Sequence, residues 1–533
     1  GGGFKSHPKA GPPGGAIPTE PANTGGAVFS SGSTWRVEDC SYVTIKGLSF
    51  PFDDAGDLFQ FRGSSHHCRL TRCTFGPTSH TSSSEVATYI FVGDNCQHVR
   101  IDHNEIRNKG TSGNGVRVYG NFDTFVGCKY VRIDHNIFRS IKPEVGNDKE
   151  PVRYGVSTMS RTEAFGVIER NYFTDCLCEP ELISVKMAKI RTTGNVMWRN
   201  AGGPVIRHGR GCIMSDNYII DRNNTTASAG LQSGGIRFYD SGHEVSHNYV
   251  DGTIGEDFQD PLLLDTGDAE GSSSNLSAHW RVINALVERN ALVNVPRGIT
   301  IGDNYSSAPQ NCSVKDNLVV NTPTGTAITQ RIAPSGGSIT GNVYFASTAA
   351  AGMTQDADTI WRKDGYGPRL TFFEQADVGP AGDTDDSDGT GPLVGGGSEP
   401  TMSPADVLGL SASPQGYHFD LEYSEDGSSS PSVIDATELY TGWSDPDYFT
   451  VVEATAQTLG VGEVATASGP NVTLIDADIA DTLDITTDNV IYDGQGHTVE
   501  KINIEANGVT VQNFYVRRGG NSGIYSLRSN NTI

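Results

Sequence analysis

The chain has 533 residues, of which 19% are charged and 8% are aromatic, and its formal net charge is −24. This length allows about two to four domains. The strong negative charge argues against nucleic acid as a partner, and no apolar run is long enough to cross a membrane, so we expect neither a nucleic acid nor a membrane partner.

The first regular feature along the chain is a short repeat in which apolar and polar residues alternate, the pattern of a half-buried strand. Residues 99–106 (VRIDHNEI) return almost unchanged as residues 131–138 (VRIDHNIF). Earlier segments at 43–48 and 69–75 fit with Gly or Cys in place of the Asn. Weaker copies follow, and the recurring Asn occupies positions 104, 136, 171, 195, 217, 248, 290, 317 and 342.

The spacing of these asparagines predicts the fold. The smallest interval, from Asn195 to Asn217, is 22 residues. An irregular excess over such a minimum is typical of coiled strands whose insertions bulge out as loops. The sequence therefore predicts an all-β, right-handed parallel β-helix, with the asparagines stacked at one turn as an internal amide ladder. Leucine-rich repeats share the period, but their Leu-rich consensus is absent.

The repeat fades after about Tyr344 and strand-like alternation resumes at 472–475. We therefore predict three parts: a catalytic β-helix over 1–375, a Gly/Asp/Ser-rich linker and irregular connecting region over 376–460, and the start of a second, partial β-helix over 461–533. The nine cysteines are odd in number and irregularly spaced, which does not predict a disulfide framework. We expect most of them to be buried as small hydrophobic side chains.

Charge is concentrated in one part of this acidic chain. Residues 182–215 contain six basic residues and no acidic one, and they follow the paired carboxylates Glu179 and Glu181. Lys186 and Arg207 are 21 residues apart, close to one minimal rung, so they are expected on neighbouring strands of one face. Asn147 shares nearly the same phase with Glu179 and Glu181, and together these three offer hard oxygen ligands suited to Ca²⁺.

These motifs follow one another in an order that resembles polysaccharide lyase family 6, which contains alginate lyases and chondroitinase B. The resemblance covers about residues 25–345. It is carried by Glu179-x-Glu181 with Lys186 five residues later, by Arg207-His208-Gly209, by Gly234-Gly235-Ile236-Arg237 and by Gly242-His243. The chain departs from the family pattern at Leu177-Cys178 and at Met187, where the family often has Asp-Gly and Ser.

The resemblance implies a role for each candidate residue. Asn147, Glu179 and Glu181 would hold Ca²⁺, Lys186 would be the general base, and Arg207 would be the general acid or would stabilise the leaving oxygen. The substrate-binding candidates are His208, Arg210, Arg237 and His243.

The function that follows is a Ca²⁺-dependent lyase that cleaves 4-linked uronate polymers, with alginate first, to 4,5-unsaturated products. Its partner would be an anionic polysaccharide, a homodimer is left open, and we expect a secreted, extracellular or periplasmic location although no signal peptide is visible. Three alternatives remain at this stage: a lyase on chondroitin or dermatan sulfate, a non-catalytic polyanion-binding adhesin or tailspike-like protein, and a glycoside hydrolase using a carboxylate pair.

Overall fold

The structure is a computed structural model. It describes residues 34–53, 56–77, 86–142, 147–221, 233–269, 275–295, 297–320, 326–345, 353–355, 366–370, 375, 378–380, 422–423, 432–433, 472–475, 479–493, 498–506, 509–512, 515–516 and 524–526. Most of the predicted linker over 376–460 lies outside these residues. No helix in the described ranges is long and apolar enough to span a membrane.

Three long parallel sheets wind around one core, and each rung contributes one strand to each sheet in turn. Sheet 1 contains Trp35–Glu38, Phe59–Arg62, Ile90–Val92, Val116–Val118, Val152–Tyr154, Glu181–Val185, Gly203–Ile206, Ile236–Phe238, Leu262–Leu264, Ile299–Ile301 and Ile328–Gln330. Sheet 2 contains Thr44–Lys46, His66–Thr71, Gln97–Asp102, Arg132–Asp134, Val167–Glu169, Arg191–Thr193, Ile213–Ser215, Glu244–Ser246, Leu286–Glu288, Ser313–Lys315 and Ser338–Thr340. Sheet 3 contains Ser49–Phe50, Thr74–Phe75, Glu105–Arg107, Ile137–Arg139, Tyr172–Thr174, Val196–Trp198, Tyr218–Ile220, Tyr249–Asp251, Ala291–Val293, Leu318–Val320, Val343–Phe345 and Thr354–Gln355. The predicted parallel β-helix is confirmed.

Stacking of like residues holds the rungs in register. Phe50 lies on Phe75 with ring centroids 4.7 Å apart, and Phe138 lies on Phe173 at 4.6 Å. Because strand neighbours in a parallel sheet face the same side, a repeated apolar residue places one buried column inside the helix. The alternation in the sequence is thus the direct cause of the continuous core.

The predicted amide ladder is confirmed at all nine asparagines, each of which is fully buried. From Asn104 to Asn342, each backbone N–H and each side-chain Nδ2 donates to the Oδ1 of the next Asn, at 2.9–3.1 Å. The residue before each ladder Asn has a φ between 50° and 66°. This left-handed residue turns the chain from sheet 2 into sheet 3, and the Asn side chain satisfies backbone groups that the turn leaves buried.

A few shorter elements complete the described structure. An antiparallel hairpin joins Gly120–Asn121 to Val126–Gly127, another pair joins Glu422–Tyr423 to Ser432–Val433, and single 3-10 turns occupy Ser157–Met159 and Asp257–Gln259. The C-terminal residues form two further parallel sheets, as predicted for a second β-helix. One contains Val472–Leu474, Ile491–Asp493 and Thr510–Gln512, and the other contains Ile479–Ile485, Thr498–Ile504, Tyr515–Val516 and Ile524–Ser526.

Two described segments that follow the last rung, residues 366–370 and 378–380, contact the outside of the first β-helix. We call residues 366–370 and 378–380 the strap. Its Arg369 forms an ion pair with buried Asp216 at 2.7 Å, and its Val378 packs against Ile137 and Val196 on sheet 3. The described strap residues therefore pack against the first β-helix.

All nine cysteines are buried and none forms a disulfide, as expected from their spacing. Burial raises the pKa of several thiols, for example that of Cys176 to about 12. A protonated, buried thiol is a poor nucleophile and a poor metal ligand, so these side chains serve packing rather than chemistry.

Candidate active site

The candidate residues meet in the middle of sheet 1. Val185 and Ile206 are register partners on adjacent strands, so Lys186 and Arg207, which follow them, occupy equivalent positions one strand apart. The adjacency predicted from their spacing is confirmed. On the next strand, Arg237 is the register partner of Val205, which places it on the same outer face.

Three carboxylates lie beside these cations. Glu150, Glu179 and Glu181 each offer an oxygen, and these oxygens lie within 4.8 Å of one another. The backbone N–H of Lys149 donates to Glu179 Oε2 at 2.8 Å, and Asn114 Nδ2 donates to Glu150 Oε2 at 2.8 Å. The strand register shifts between Glu181 and residue 183, and such an irregularity re-aims a side chain next to a site.

The electrostatics of the carboxylates follow from burial and mutual repulsion. Burial, with Glu150 and then Glu181 adding to it, raises the pKa of Glu179 to about 8. Burial also raises the pKa of Glu150, although Lys186 opposes the shift. Burial alone would raise the pKa of Glu181, but Arg237 and Lys186 lower it below its ordinary value.

This cluster fits a hard divalent cation. Glu150 Oε1 is buried and accepts no hydrogen bond from the described residues, and its nearest charged partner is Lys186 Nζ at 3.5 Å. A positive ion between two buried carboxyl groups with raised pKa values would stabilise their ionised form. Carboxylate oxygens are the ligands that such ions prefer.

The cations on the other side of the site present unsatisfied donors. Arg237 Nη2 donates to Glu181 Oε1 at 2.8 Å, but Arg237 Nε and Arg207 Nη1 are buried with no hydrogen-bond partner among the described residues. Both guanidinium groups lie over the ring of Tyr239, at 5.4 Å for Arg207 and 5.8 Å for Arg237. The Tyr239 hydroxyl donates to Asp265 at 2.5 Å. Such unpaired donors suit an anionic ligand.

The other predicted residues are placed unequally. His208 Nε2 contacts Ser157 Oγ at 2.9 Å, and its Nδ1 is buried without a partner in the described structure. Arg210 lies at the rim, half exposed, 3.4 Å from Asp240. Of the predicted substrate-binding residues, His208 is thus buried within the site and Arg210 lies at its edge.

His243 and Asn147 differ from the sequence expectation. His243 is buried, its Nε2 contacts the Tyr239 carbonyl at 2.7 Å, and its Nδ1 accepts from the Cys212 N–H. Both ring nitrogens are thus used by the backbone, and His243 has no group left for a sugar. Asn147 is exposed, and the described contacts do not join it to the carboxylates.

Sequence reasoning missed Glu150. It lies 31 residues before Glu181 and two residues before the first residue of the strand Val152–Tyr154, so its rung position was a usable signal. The insertion between Asn136 and this strand obscured it, because the number of loop residues in that rung cannot be counted without the structure. Arg153, which contacts Asp148 and lies 3.9 Å from Glu150, was missed for the same reason.

Comparison with known proteins identifies the family. A family model described as Chondroitinase B matches residues 16–354, more than half of the chain. The chain belongs to the chondroitinase B family. The resemblance to polysaccharide lyase family 6 is thereby confirmed, and the protein is a polysaccharide lyase. Among curated proteins, no sequence matches it significantly.

Two solved structures are similar to this member of the chondroitinase B family. A mannuronic acid specific polysaccharide family 6 lyase from human gut microbiota is 26% identical, with a TM-score of 0.51, and the match covers 61% of this chain and 73% of that one. A family 6 polysaccharide lyase from Pseudopedobacter saltans is 21% identical, with a TM-score of 0.52 and coverage of 68% and 88%. The second likeness supports the fold alone. Family membership also removes the adhesin and glycoside hydrolase alternatives.

Proposed function

We propose that this lyase is Ca²⁺-dependent and cleaves 4-linked uronate polymers, alginate in particular, by β-elimination. The observation that carries the proposal is the contact between a buried carboxylate triad and a lysine, Lys186, with the unsatisfied guanidinium donors of Arg207 and Arg237 on the same face. A binding protein would need only the positive charge. An elimination needs, in addition, a base and a way to offset the charge of the uronate.

The metal would be held by Glu150, Glu179 and Glu181. We keep Asn147 as a proposed further ligand because it belongs to the same short segment as Glu150. When bound, a divalent cation on the uronate carboxylate offsets its charge and makes the C5 proton more acidic. Glu181 is held in place by Arg237 and by the Ser184 hydroxyl, which donates at 2.5 Å.

Lys186 and Arg207 would carry the proton transfers. Lys186 Nζ accepts the C5 proton, the C4–C5 double bond forms, and the C4–O4 bond breaks. Burial lowers the pKa of Arg207, yet a guanidinium remains charged near neutrality, so Arg207 stabilises the departing O4 oxygen while another group supplies its proton.

Tyr305 is a candidate source of that proton. Its hydroxyl contacts His279 Nε2 at 2.8 Å, and its ring lies 6.3 Å from that of Tyr239. The hydroxyl of Tyr239 itself is already donated to Asp265. Water is the alternative proton source.

The remaining residues would orient the sugar. Arg237 and His208 place N–H groups beside the base and would bind uronate carboxylates, and Arg210 at the rim would attract the polymer. Burial, followed by the positive charge of Arg207, lowers the pKa of His208 to about 2. His208 therefore remains neutral throughout the pH range in which the enzyme would work.

We propose alginate first because the solved structure that is 26% identical is that of a mannuronic acid specific polysaccharide lyase. Chondroitin or dermatan sulfate is the second candidate, since the family model carries the name of chondroitinase B. A polymer of this size does not cross a membrane unaided, so we propose that the enzyme acts outside the cytoplasm.

The test is ultraviolet absorbance of the new double bond, measured with mannuronate-rich and guluronate-rich alginate, chondroitin sulfate and dermatan sulfate. Replacing Lys186 with Ala should lower turnover by at least about a hundredfold, the low end for loss of a general base. Lys186→Arg should not rescue it. Lys315→Ala is the control, because Lys315 pairs with Glu288 on another face of the helix. A wild-type protein that binds polyuronate without forming unsaturated ends would overturn the proposal.

Metal dependence is tested separately by chelation. Activity should disappear with excess chelator and return with added Ca²⁺. Full activity in chelator, from protein that contains no metal, would remove the Ca²⁺ part of the proposal and leave the elimination itself standing.

A further inference from the structure

An arginine on sheet 1 near the candidate site, Arg117, forms no salt bridge with any carboxylate of the described residues. Arg117 is the register partner of Arg153, which is in turn the partner of Ser184. Its Nε is buried without a hydrogen-bond partner among the described residues, and the charges of Asp57 and Glu150 act on it from beyond salt-bridge distance. Arg153, by contrast, contacts Asp148. Burial, with the charge of Arg153, lowers the pKa of Arg117 to about 10.

Aromatic rings hold this guanidinium in place. The Arg117 guanidinium carbon lies 3.8 Å from the ring centroid of Tyr119. Tyr119 is buried and contacts the rings of Phe91 at 5.8 Å and Phe122 at 5.4 Å. A guanidinium stacked on a ring keeps its N–H edge free for a planar anion such as a carboxylate.

Phe122 sits at the exposed end of this cluster. It lies in the turn of the hairpin formed by Gly120–Asn121 and Val126–Gly127, and 54% of its surface is exposed. Asn121 Oδ1 accepts hydrogen bonds from the backbone N–H groups of Asp123 and Thr124, which fixes the turn. An exposed aromatic ring that packs against the ring on which a guanidinium is stacked suits a ligand that is apolar on one side and charged on the other.

The strand order of sheet 1 shows how far Arg117 lies from the strand that leads to Lys186. Strands are about 4.8 Å apart, so Arg117 lies about 10 Å from the strand that precedes Lys186. This two-strand offset places Arg117 beside a sugar further along the polymer than the one that faces Lys186.

The opposite end of sheet 1 is different in charge. Arg297 there contacts Asp260 at 2.8 Å, and Arg331 contacts Asp257 and Asp303. These guanidinium groups are already neutralised, so free positive charge on this face extends only toward the N-terminal rungs of the described structure.

We infer that Arg117, Tyr119 and Phe122 form a distal uronate subsite. The Arg117 guanidinium binds the carboxylate of a sugar beyond the cleaved bond, and Phe122 packs against the apolar C–H face of that sugar. This inference rests on the proposed function, because the subsite takes the same polymer as the active site. Its consequence is that longer oligosaccharides are bound through one contact that the shortest substrates cannot reach.

The test compares Arg117→Gln, Phe122→Ala and wild type on oligomannuronates and oligoguluronates of defined length. On long oligosaccharides, Arg117→Gln should lower kcat/KM by about tenfold or more, the effect of losing a hydrogen bond to a charged group, and the change should fall on KM. Phe122→Ala should change KM in the same direction by less. On the shortest cleaved oligosaccharide both variants should equal wild type, as Lys315→Gln should at every length.

Equal losses at all lengths would overturn the subsite, since they would mean that Arg117 acts through the catalytic groups or the fold. No loss at any length would overturn it as well. If wild type cleaves no uronate at all, the proposed function fails separately, and retardation of each protein in gels containing polymannuronate then tests the subsite alone. Weaker retardation of Arg117→Gln than of Lys315→Gln would support it, and equal retardation would contradict it.

Discussion

The amide ladder predicts a large and local effect for a single substitution, Asn195→Ala. Asn195 Oδ1 accepts from the backbone N–H and the Nδ2 of Asn171, at 3.1 and 3.0 Å. Its own Nδ2 donates to the carbonyls of Ile168 and Thr193 and to Asn217 Oδ1, at 2.9–3.2 Å. Alanine removes all five contacts at a fully buried position.

The free energy of unfolding should fall by about 2–5 kcal/mol. The backbone N–H of Asn171 is left buried without its acceptor, which costs about 1–3 kcal/mol. The other groups keep at least one partner, since Asn171 Nδ2 still donates to Ile133 and Asn217 Oδ1 still accepts from the backbone of residue 195. Their loss, with the small cavity, adds about 1–2 kcal/mol.

Urea unfolding would measure the total, and hydrogen exchange of the Asn171 amide would show where the loss occurs. Asn342→Ala is the matched control at the last rung. Its Nδ2 has a single described acceptor, Val314 O at 2.8 Å, so its loss should be smaller by about 1 kcal/mol or more. Losses below about 1 kcal/mol for Asn195→Ala, with unchanged exchange at Asn171, would refute the view that the ladder stabilises the turns.

Three further outcomes are expected. Glu150→Gln should weaken Ca²⁺ binding, measured by calorimetry. The affinity should fall by more than the roughly tenfold that is lost when a residue behind a metal ligand is removed. Unchanged affinity would remove Glu150 from the metal site. Since burial lowers the pKa of His208 to about 2, the unfolded chain binds a proton below about pH 6.5 that the native chain does not, and stability falls with acidity by up to about 1.4 kcal/mol per pH unit. His208→Gln should reduce that slope in urea titrations at pH 7, 6 and 5, and an identical slope would contradict the buried neutral state. Arg369→Ala leaves Asp216 buried without its ion-pair partner and should lower the free energy of unfolding by about 3–5 kcal/mol. Breaking the exposed ion pair of Arg36 with Glu38 should lower it by less than about 1 kcal/mol. Similar losses for both variants would show that the strap contributes little to stability.

The sequence by itself was sufficient for the fold, the ladder and the adjacency of Lys186 and Arg207, the proposed catalytic pair. A β-helix repeats a short local pattern, so the alternation of apolar residues and the recurring Asn fix which side chains face inward at every rung. Lys186 and Arg207 are separated by a rung without insertion, and their adjacency could therefore be counted directly. Glu179 and Glu181 were found in the same way.

Only the tertiary structure decided the rest, because loops of irregular length break the count between rungs. Glu150 lies beside Glu179 and Glu181, but the insertion in its rung prevents its position from being counted along the sequence. The nearby Asn147 is exposed. His243 belongs to the Gly242-His243 motif, yet it is buried and both of its ring nitrogens contact backbone groups. The unpaired state of Arg117 likewise depends on which strand lies next to it. Local patterns determine the direction of a side chain, whereas its partners depend on contacts between rungs that the pattern does not encode.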